Sequence, residues 1–350
     1  MRRLLAVAIV SALAGATPCL ALPAASTATI AAADAVTSQL PRTVRPNHYD
    51  IAIVPDAANL RFTGRAQIDI EVLQATDRIV LNAIDMTFAH VALTPVDGGK
   101  ALPASKMDTD ADAQTASFVF AQALAPGRYR LALDYTGKIG TQANGLFAID
   151  YDTKDGKKRA LYTQFENSDA RRFMPCWDEP AYKATFSLSA DVPAAQMAVS
   201  NMPIAQATEL GGGLRRVQFQ TTPKMSSYLL FYGLGDFDRA TTKLGNTEIG
   251  VITQKGLSSQ ATFALDSAKA ILAEYNDYFG TPYPLPKLDN IASPGNSAFF
   301  SAMENWGAIY SFEHTMLLDP AIATQAGRER IFSVEAHEMA HQWFGDLVTM

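Results

Sequence analysis

The chain has 350 residues, with 29 Lys+Arg against 35 Asp+Glu, a formal net charge of −6, and a composition that is 48% hydrophobic and 18% charged. That balance argues against a nucleic-acid-binding surface or a polybasic membrane tether, both of which need excess cationic side chains to meet phosphate. The 18 Pro and 22 Gly, with no long biased run, exclude a collagen-like, coiled-coil or disordered chain. What remains is a globular protein of about two domains, acting on soluble partners or substrates.

In chain order, Arg2 and Arg3 precede an apolar run from Leu4 to Ala14, and the small residues Cys19 and Ala21 follow. The run is too short for the roughly 20 residues that span a bilayer, so residues 1–21 read as a secretory signal peptide, cut after Ala21 or Ala25. Its removal takes away two positive charges and leaves the mature chain more acidic. An exported protein is expected, periplasmic or secreted, with no membrane segment after processing. Cys19 leaves with the signal, so Cys176 has no partner for an internal disulfide.

After a flexible leader over 22–39, apolar and polar residues alternate in Tyr49–Val54 and Arg61–Val72, the period of half-buried strands. The same pattern predicts strands over Arg128–Tyr135, Ala184–Ala190, Arg215–Gln220 and Ser227–Tyr232. Turns are expected at Asp97-Gly98-Gly99 and Gly211-Gly212-Gly213. Residues 40–238 are therefore expected to form an all-β domain. From 239 the character changes. A helix over Thr262–Phe279 puts Phe263, Ala264, Ala268, Ile271, Leu272, Tyr275 and Phe279 on one broad face, and Gly280 and Pro282 stop it. Four prolines between Pro282 and Pro294 suggest a rigid connector, and a second helix is expected from about Gln325 to Phe344.

That second helix carries His337-Glu338-Met339-Ala340-His341, an H-E-x-x-H pattern. At about 100° per residue, His341 lies about 40° around the helix from His337 and Glu338 lies beside them. Two imidazoles one turn apart can hold one Zn2+ ion, and the adjacent carboxylate can take a proton from zinc-bound water without ligating the metal. Zinc needs a third protein ligand. Among the residues after His341 only Asp346 is ionisable, and a continuing helix would place it badly for the same ion.

Three blocks then resemble the gluzincin zinc aminopeptidases of the aminopeptidase N type. The first runs from Gln164-Phe165-Glu166 through Ala170-Arg171-Arg172-Phe173 and Pro175-Cys176-Trp177-Asp178-Glu179-Pro180 to Lys183-Ala184-Thr185-Phe186. The second is Ser301-Ala302-Met303-Glu304-Asn305-Trp306-Gly307, and the third is Val334 through Thr349. The resemblance implies a multi-domain fold: an N-terminal all-β sandwich or saddle domain, then the start of an α/β thermolysin-like catalytic domain over 239–350. It further implies that Glu304 and Glu166 bind the free amino end of a peptide and that Gln164 lines the same subsite. Ser301, Ala302, Met303 and Asn305 complete the substrate-binding segment, Ala302 to Asn305 pairing with substrate backbone.

Glu338 would be the general base, with one zinc ion held by His337, His341 and a glutamate beyond Met350. An oxyanion-stabilising tyrosine is also expected beyond Met350, so the sequence reads as the N-terminal part of a longer enzyme. A departure lies at Ser301, where the family usually has Gly; a positive φ there would be costly for Ser. The rival readings are a bifunctional epoxide hydrolase relative and a non-catalytic scaffold. Arg171-Arg172 and Trp177-Asp178-Glu179 read as structural, packing the β domain against the catalytic one. His48, His90 and His314 lack ligand spacing.

Overall fold

The structure, a computed structural model, describes residues 39–349. The expected signal peptide, and the leader up to residue 38, lie outside them. The strand predicted over Tyr49–Val54 extends over Val44–Asp56, and it pairs antiparallel with the predicted Arg61–Val72, Ile68 opposite Tyr49. In the second of them Phe62, Gly64, Ala66, Ile68, Ile70 and Val72 are buried while the intervening residues reach outward. This is the pleat translating a period of two into one apolar face.

These strands sit near the middle of an eight-stranded sheet. Its order is Ile204–Gly211, Leu214–Phe219, Thr185–Pro193, Val44–Asp56, Arg61–Val72, Gly127–Lys138, Thr87–Pro95, Leu102–Pro103. The pair Val44–Asp56 and Thr185–Pro193 is parallel and the others are antiparallel. A three-stranded sheet of Thr76–Asn82, Thr115–Leu124 and Lys106–Asp110 adds to this part. So does a four-stranded sheet of Met197–Ser200, Tyr232–Gly235, Gly156–Gln164 and Gly145–Thr153. The all-β reading of this region agrees with the structure.

One predicted strand is corrected. Ser227–Tyr232 is a 3-10 turn over Ser227–Leu229, and a strand begins only at Tyr232. Every residue from Met225 to Gly235 is buried, so no alternating face exists to flatten the chain. The two serines instead bond away from the turn, Ser226 Oγ to the Pro180 carbonyl and Ser227 Oγ to Asp178 Oδ1, each at 2.8 Å.

From Phe237 a mixed five-stranded sheet follows, in the order Phe237–Leu244, Thr247–Gln254, Lys287–Ser293, Ala308–Phe312, Ala302–Met303. Thr247–Gln254, Lys287–Ser293 and Ala308–Phe312 run parallel. The stretch read as a Pro-rich connector is thus a central strand, buried along its whole length. Pro286 and Pro294 bracket it and so remove no donor from its ladder.

Helix α1, Thr262–Tyr278, matches the expected stretch, and Ala264, Ala268, Ile271 and Leu272 on its predicted face are buried. Helix α2, Gln325–His341, ends three residues earlier than expected. Both helices pack against one sheet face, where Ala264 and Ile331 meet Val251 and Ala292. A contiguous apolar cluster reaches from Tyr49 and Trp177 to Tyr310 and Trp343. No helix among the described residues is long and apolar enough to cross a membrane.

The segment Arg171–Glu179 is structural, as read, but its polar contacts lie within residues 40–238. Arg171 Nε meets Asp178 Oδ2 at 2.9 Å, Arg172 Nε meets Asp169 at 2.7 Å, and Glu179 accepts from the Leu40 amide at 2.9 Å. Polar cross-connections come from Lys183, whose ammonium donates to the carbonyls of Asp346 and Leu347 at 2.9 and 3.3 Å, and from Asn201, whose Nδ2 donates to the Trp306 carbonyl at 2.9 Å.

Candidate active site

Helix α2 is started by Thr324, whose hydroxyl accepts from the Gly327 amide at 3.0 Å. Such a cap satisfies one of the free N–H groups of a first turn and contributes about 1 kcal/mol. The helix turns Ile331, Glu335, Glu338 and Met339 inward. At its last turn His337 Nε2 and His341 Nε2 converge to 3.3 Å. His341 Nδ1 lies 2.9 Å from the Phe344 carbonyl, an acceptor, so Nδ1 is the donor there, and the neutral tautomer with that bond has its lone pair on Nε2.

The end of the helix is pinned by Gln342. Its Oε1 accepts from the Gly307 amide at 3.0 Å, and its Nε2 donates to the Glu304 carbonyl at 2.9 Å. One side chain therefore fixes the segment that carries Glu304 against the helix that carries Glu338. Gly307 makes this possible: it has φ +77°, and a Cβ there would stand 2.6 Å from the Asn201 carbonyl oxygen. Gly307→Ala is expected to destabilise the fold by about 1–3 kcal/mol, through overpacking and left-handed strain together. A chemical-denaturation midpoint unchanged from wild type would contradict that.

Beyond the helix the chain turns sharply, and the expected helical continuation to Phe344 is not made. Asp346 therefore does not lie a turn beyond Glu338 on the same helix. It is fully buried, its amide donating to the His341 carbonyl at 3.2 Å, and its carboxylate oxygens have no hydrogen-bond partner among the described residues. Burial pushes its pKa well up, as do Glu304 and Glu338, while Lys183 opposes.

The structure brings the other predicted acids to this helix end. Glu304 is 4% exposed and Glu338 6%. Glu338 is pushed up to about 8, first by burial and then by the charges of Glu304 and Glu166. Glu166 is exposed; its pKa is raised by desolvation and then by Glu304, and lowered by His341. Gln164, buried at the end of its strand, precedes Glu166 by two residues, and its Oε1 has no partner among the described residues.

Ala302–Met303 forms the edge of the five-stranded sheet, paired on one side only, with Ser311 and Tyr310. Met303 and Asn305 point into the protein and are fully buried, and the Asn305 side-chain amide has no partner among the described residues. Ser301 is an exposed bend residue and is absent from the positive-φ positions, so the Ser-for-Gly departure carries no left-handed strain.

Tyr228 lies outside the three blocks, and Gln342 and Lys183 lie inside them but were given no role. Gln342 directly follows the metal pattern, and that adjacency was the available signal. Tyr228 lies in the run misread as a strand. The histidines expected to be unrelated remain apart from this constellation: His48 bonds Thr185 at 2.7 Å and His314 stacks on Phe312.

Two nitrogen ligands at about 2.0–2.1 Å from a tetrahedral ion stand about 3.3 Å apart, which is the separation of the two Nε2 atoms here. With the His341 lone pair directed by its Nδ1 contact, the pair fits a divalent cation. No group of three or more His, Cys, Asp or Glu with metal-holding geometry occurs among the described residues.

Comparison with known families bears on the same residues. The Peptidase M1 N-terminal domain matches residues 45–229, and the Peptidase family M1 domain matches residues 263–350, which include α2 and the Glu304 segment. The chain belongs to peptidase family M1. An M1 relative, aminopeptidase N of Acetobacter pasteurianus, is 44% identical over 313 residues, which cover 89% of this chain and 86% of that protein. Aminopeptidase M1 of Arabidopsis thaliana is 38% identical over 315 residues, 89% of this chain and 36% of that protein. The puromycin-sensitive aminopeptidase of Caenorhabditis elegans is 36% identical over 318 residues, again 89% of this chain but 33% of that protein. The chain thus spans about a third of the length of these plant and nematode M1 proteins, and most of the bacterial one.

Proposed function

We propose that this protein is an exported zinc aminopeptidase, which removes the first residue from peptides that have a free amino end. The observation that carries the reading is the meeting of Glu304 and Glu166 with the His337-Glu338-His341 helix end, where both carboxylates act on Glu338. The names of the M1 relatives support it.

His337 and His341 would provide two of the protein ligands for zinc. When bound, zinc supplies a Lewis acid that polarises a carbonyl and lowers the pKa of water. Glu338 accepts a proton on its carboxylate and returns it to the departing amine. Glu304 and Glu166 receive the substrate ammonium, whose pKa near 8 keeps it largely charged at neutral pH. Two carboxylates that require this cation would restrict cleavage to first residues. The open edge of Ala302–Met303 suits an extended peptide backbone, which can join it as a further strand. Export rests on Arg2 and Arg3 ahead of the Leu4–Ala14 run.

The test is a pair of anilides. An unblocked alanyl anilide is expected to be cleaved, and its N-acetylated form at least about a hundredfold more slowly, since burying unpaired carboxylates is costly. Equal rates on the two would refute the amine-end reading.

A further inference from the structure

The Glu304 carboxylate has one hydrogen-bond donor among the described residues, and it comes from the N-terminal β region. Tyr228 Oη donates to Glu304 Oε1 at 3.4 Å, a long contact of the kind that tightens when a charged ligand draws the carboxylate into place. Tyr228 is 2% exposed, and burial together with Glu304, Asp346 and Glu166 pushes its pKa well up. The turn that carries that hydroxyl is anchored on both sides. This 3-10 turn is held by Ser227 on Asp178, by Ser226 on the Pro180 carbonyl, and by Asn201. Asn201 Nδ2 donates to the Leu229 carbonyl at 2.7 Å and to the Trp306 carbonyl at 2.9 Å. One amide therefore ties the residue after Tyr228 to the residue two beyond Glu304.

We propose that Tyr228 is a positioning residue for amine-end recognition. It holds one oxygen of Glu304 and so presents the other to the substrate ammonium. This rests on the reading of Glu304 as an ammonium ligand. A carboxylate that accepts a fixed phenolic hydrogen bond loses rotational freedom before substrate arrives, so binding has less disorder to remove. The phenol is also a donor only toward the carboxylate, and it adds no charge that would compete with the ammonium. A hydrogen bond to a charged group contributes more than a neutral one, which sets the scale of the expected effect.

The experiment is a double-mutant cycle on the enzyme expressed from its own gene, with the unblocked alanyl anilide as substrate. Tyr228→Phe removes only the hydroxyl. It is expected to raise KM about tenfold, with kcat within about twofold and metal content and Tm unchanged. Glu304→Gln is expected to raise KM more, and adding Tyr228→Phe to it is expected to change KM no further, because the tyrosine acts through that carboxylate.

If Glu304→Gln raises KM and Tyr228→Phe does not, or if the two effects multiply, the positioning role is overturned while the ammonium site stands. If Glu304→Gln leaves KM unchanged, the ammonium reading fails, and this inference with it. A fall in Tm with an equal loss of kcat in Tyr228→Phe would assign the tyrosine to folding alone and overturn the proposal.

Discussion

Replacing Glu338 with Gln is expected to lower kcat/KM about a thousandfold, within the range by which a general base contributes to proton transfer. The change is isosteric, so the fold loses no volume. Glu338 is 6% exposed and crowded by Glu304 and Glu166, so making it neutral removes like-charge repulsion and desolvation cost from the folded state. The variant should therefore be at least as thermostable as wild type. Its metal content should also be retained, because His337 and His341 are untouched and the His341 ring is oriented through Phe344, not through Glu338. The informative outcome is the combination: activity nearly gone, Tm unchanged or higher, metal unchanged. Initial rates, elemental analysis and thermal denaturation read the three. Cleavage at near wild-type rate would remove Glu338 from the chemistry.

The success of sequence reading followed the range of the interactions involved. His337, Glu338 and His341 lie within five residues, and helix geometry alone brings them to one side; that part needed no tertiary information. The strands around Tyr49 and Ile68 were legible because each buries one face only, so alternation survives in the sequence. Where both faces are buried the pattern vanishes. Lys287–Ser293 is such a strand, and its flanking prolines drew the reading toward a connector. The Ser227–Leu229 turn failed in the opposite way: a buried run resembled a strand while its serines were bonded to Pro180 and Asp178, both more than 45 positions away. The acids that act on Glu338 belong to the same class of distant partners. Glu166 and Glu304 came from family resemblance, since nothing local to either predicts that they approach Glu338. Tyr228, which no motif named, touches Glu304, and Lys183, quoted in the first block without a role, touches the carbonyls just beyond the helix end.

Arg171→Leu is expected to destabilise the protein by about 3–5 kcal/mol, the usual cost of leaving one member of a buried ion pair without the other. The Asp178 side chain is 1% exposed and that of Arg171 12%. Burial raises the Asp178 pKa, while Arg171 and Ser227 pull it down. Removing the arginine deletes the largest opposing influence, so the folded-state pKa of Asp178 rises further. The sign of the pH dependence follows. At pH below the ordinary carboxylate range Asp178 is protonated in both folded and unfolded chains, and ionisation adds no penalty. As pH rises the unfolded chain ionises first, so the variant's deficit grows until the folded carboxyl also ionises. Denaturant titrations at pH 5 and pH 8 should therefore show the larger deficit at pH 8. Asp178→Asn in the Arg171→Leu background should recover part of the loss and flatten the pH dependence, because a neutral amide can still accept from Ser227. The consequence reaches the site: Ser227 bonds Asp178, and the next residue is Tyr228 on Glu304. An Asp178 that loses its arginine becomes a poorer anchor for that turn, and the KM for free-amine substrates should rise even at temperatures where the variant remains folded.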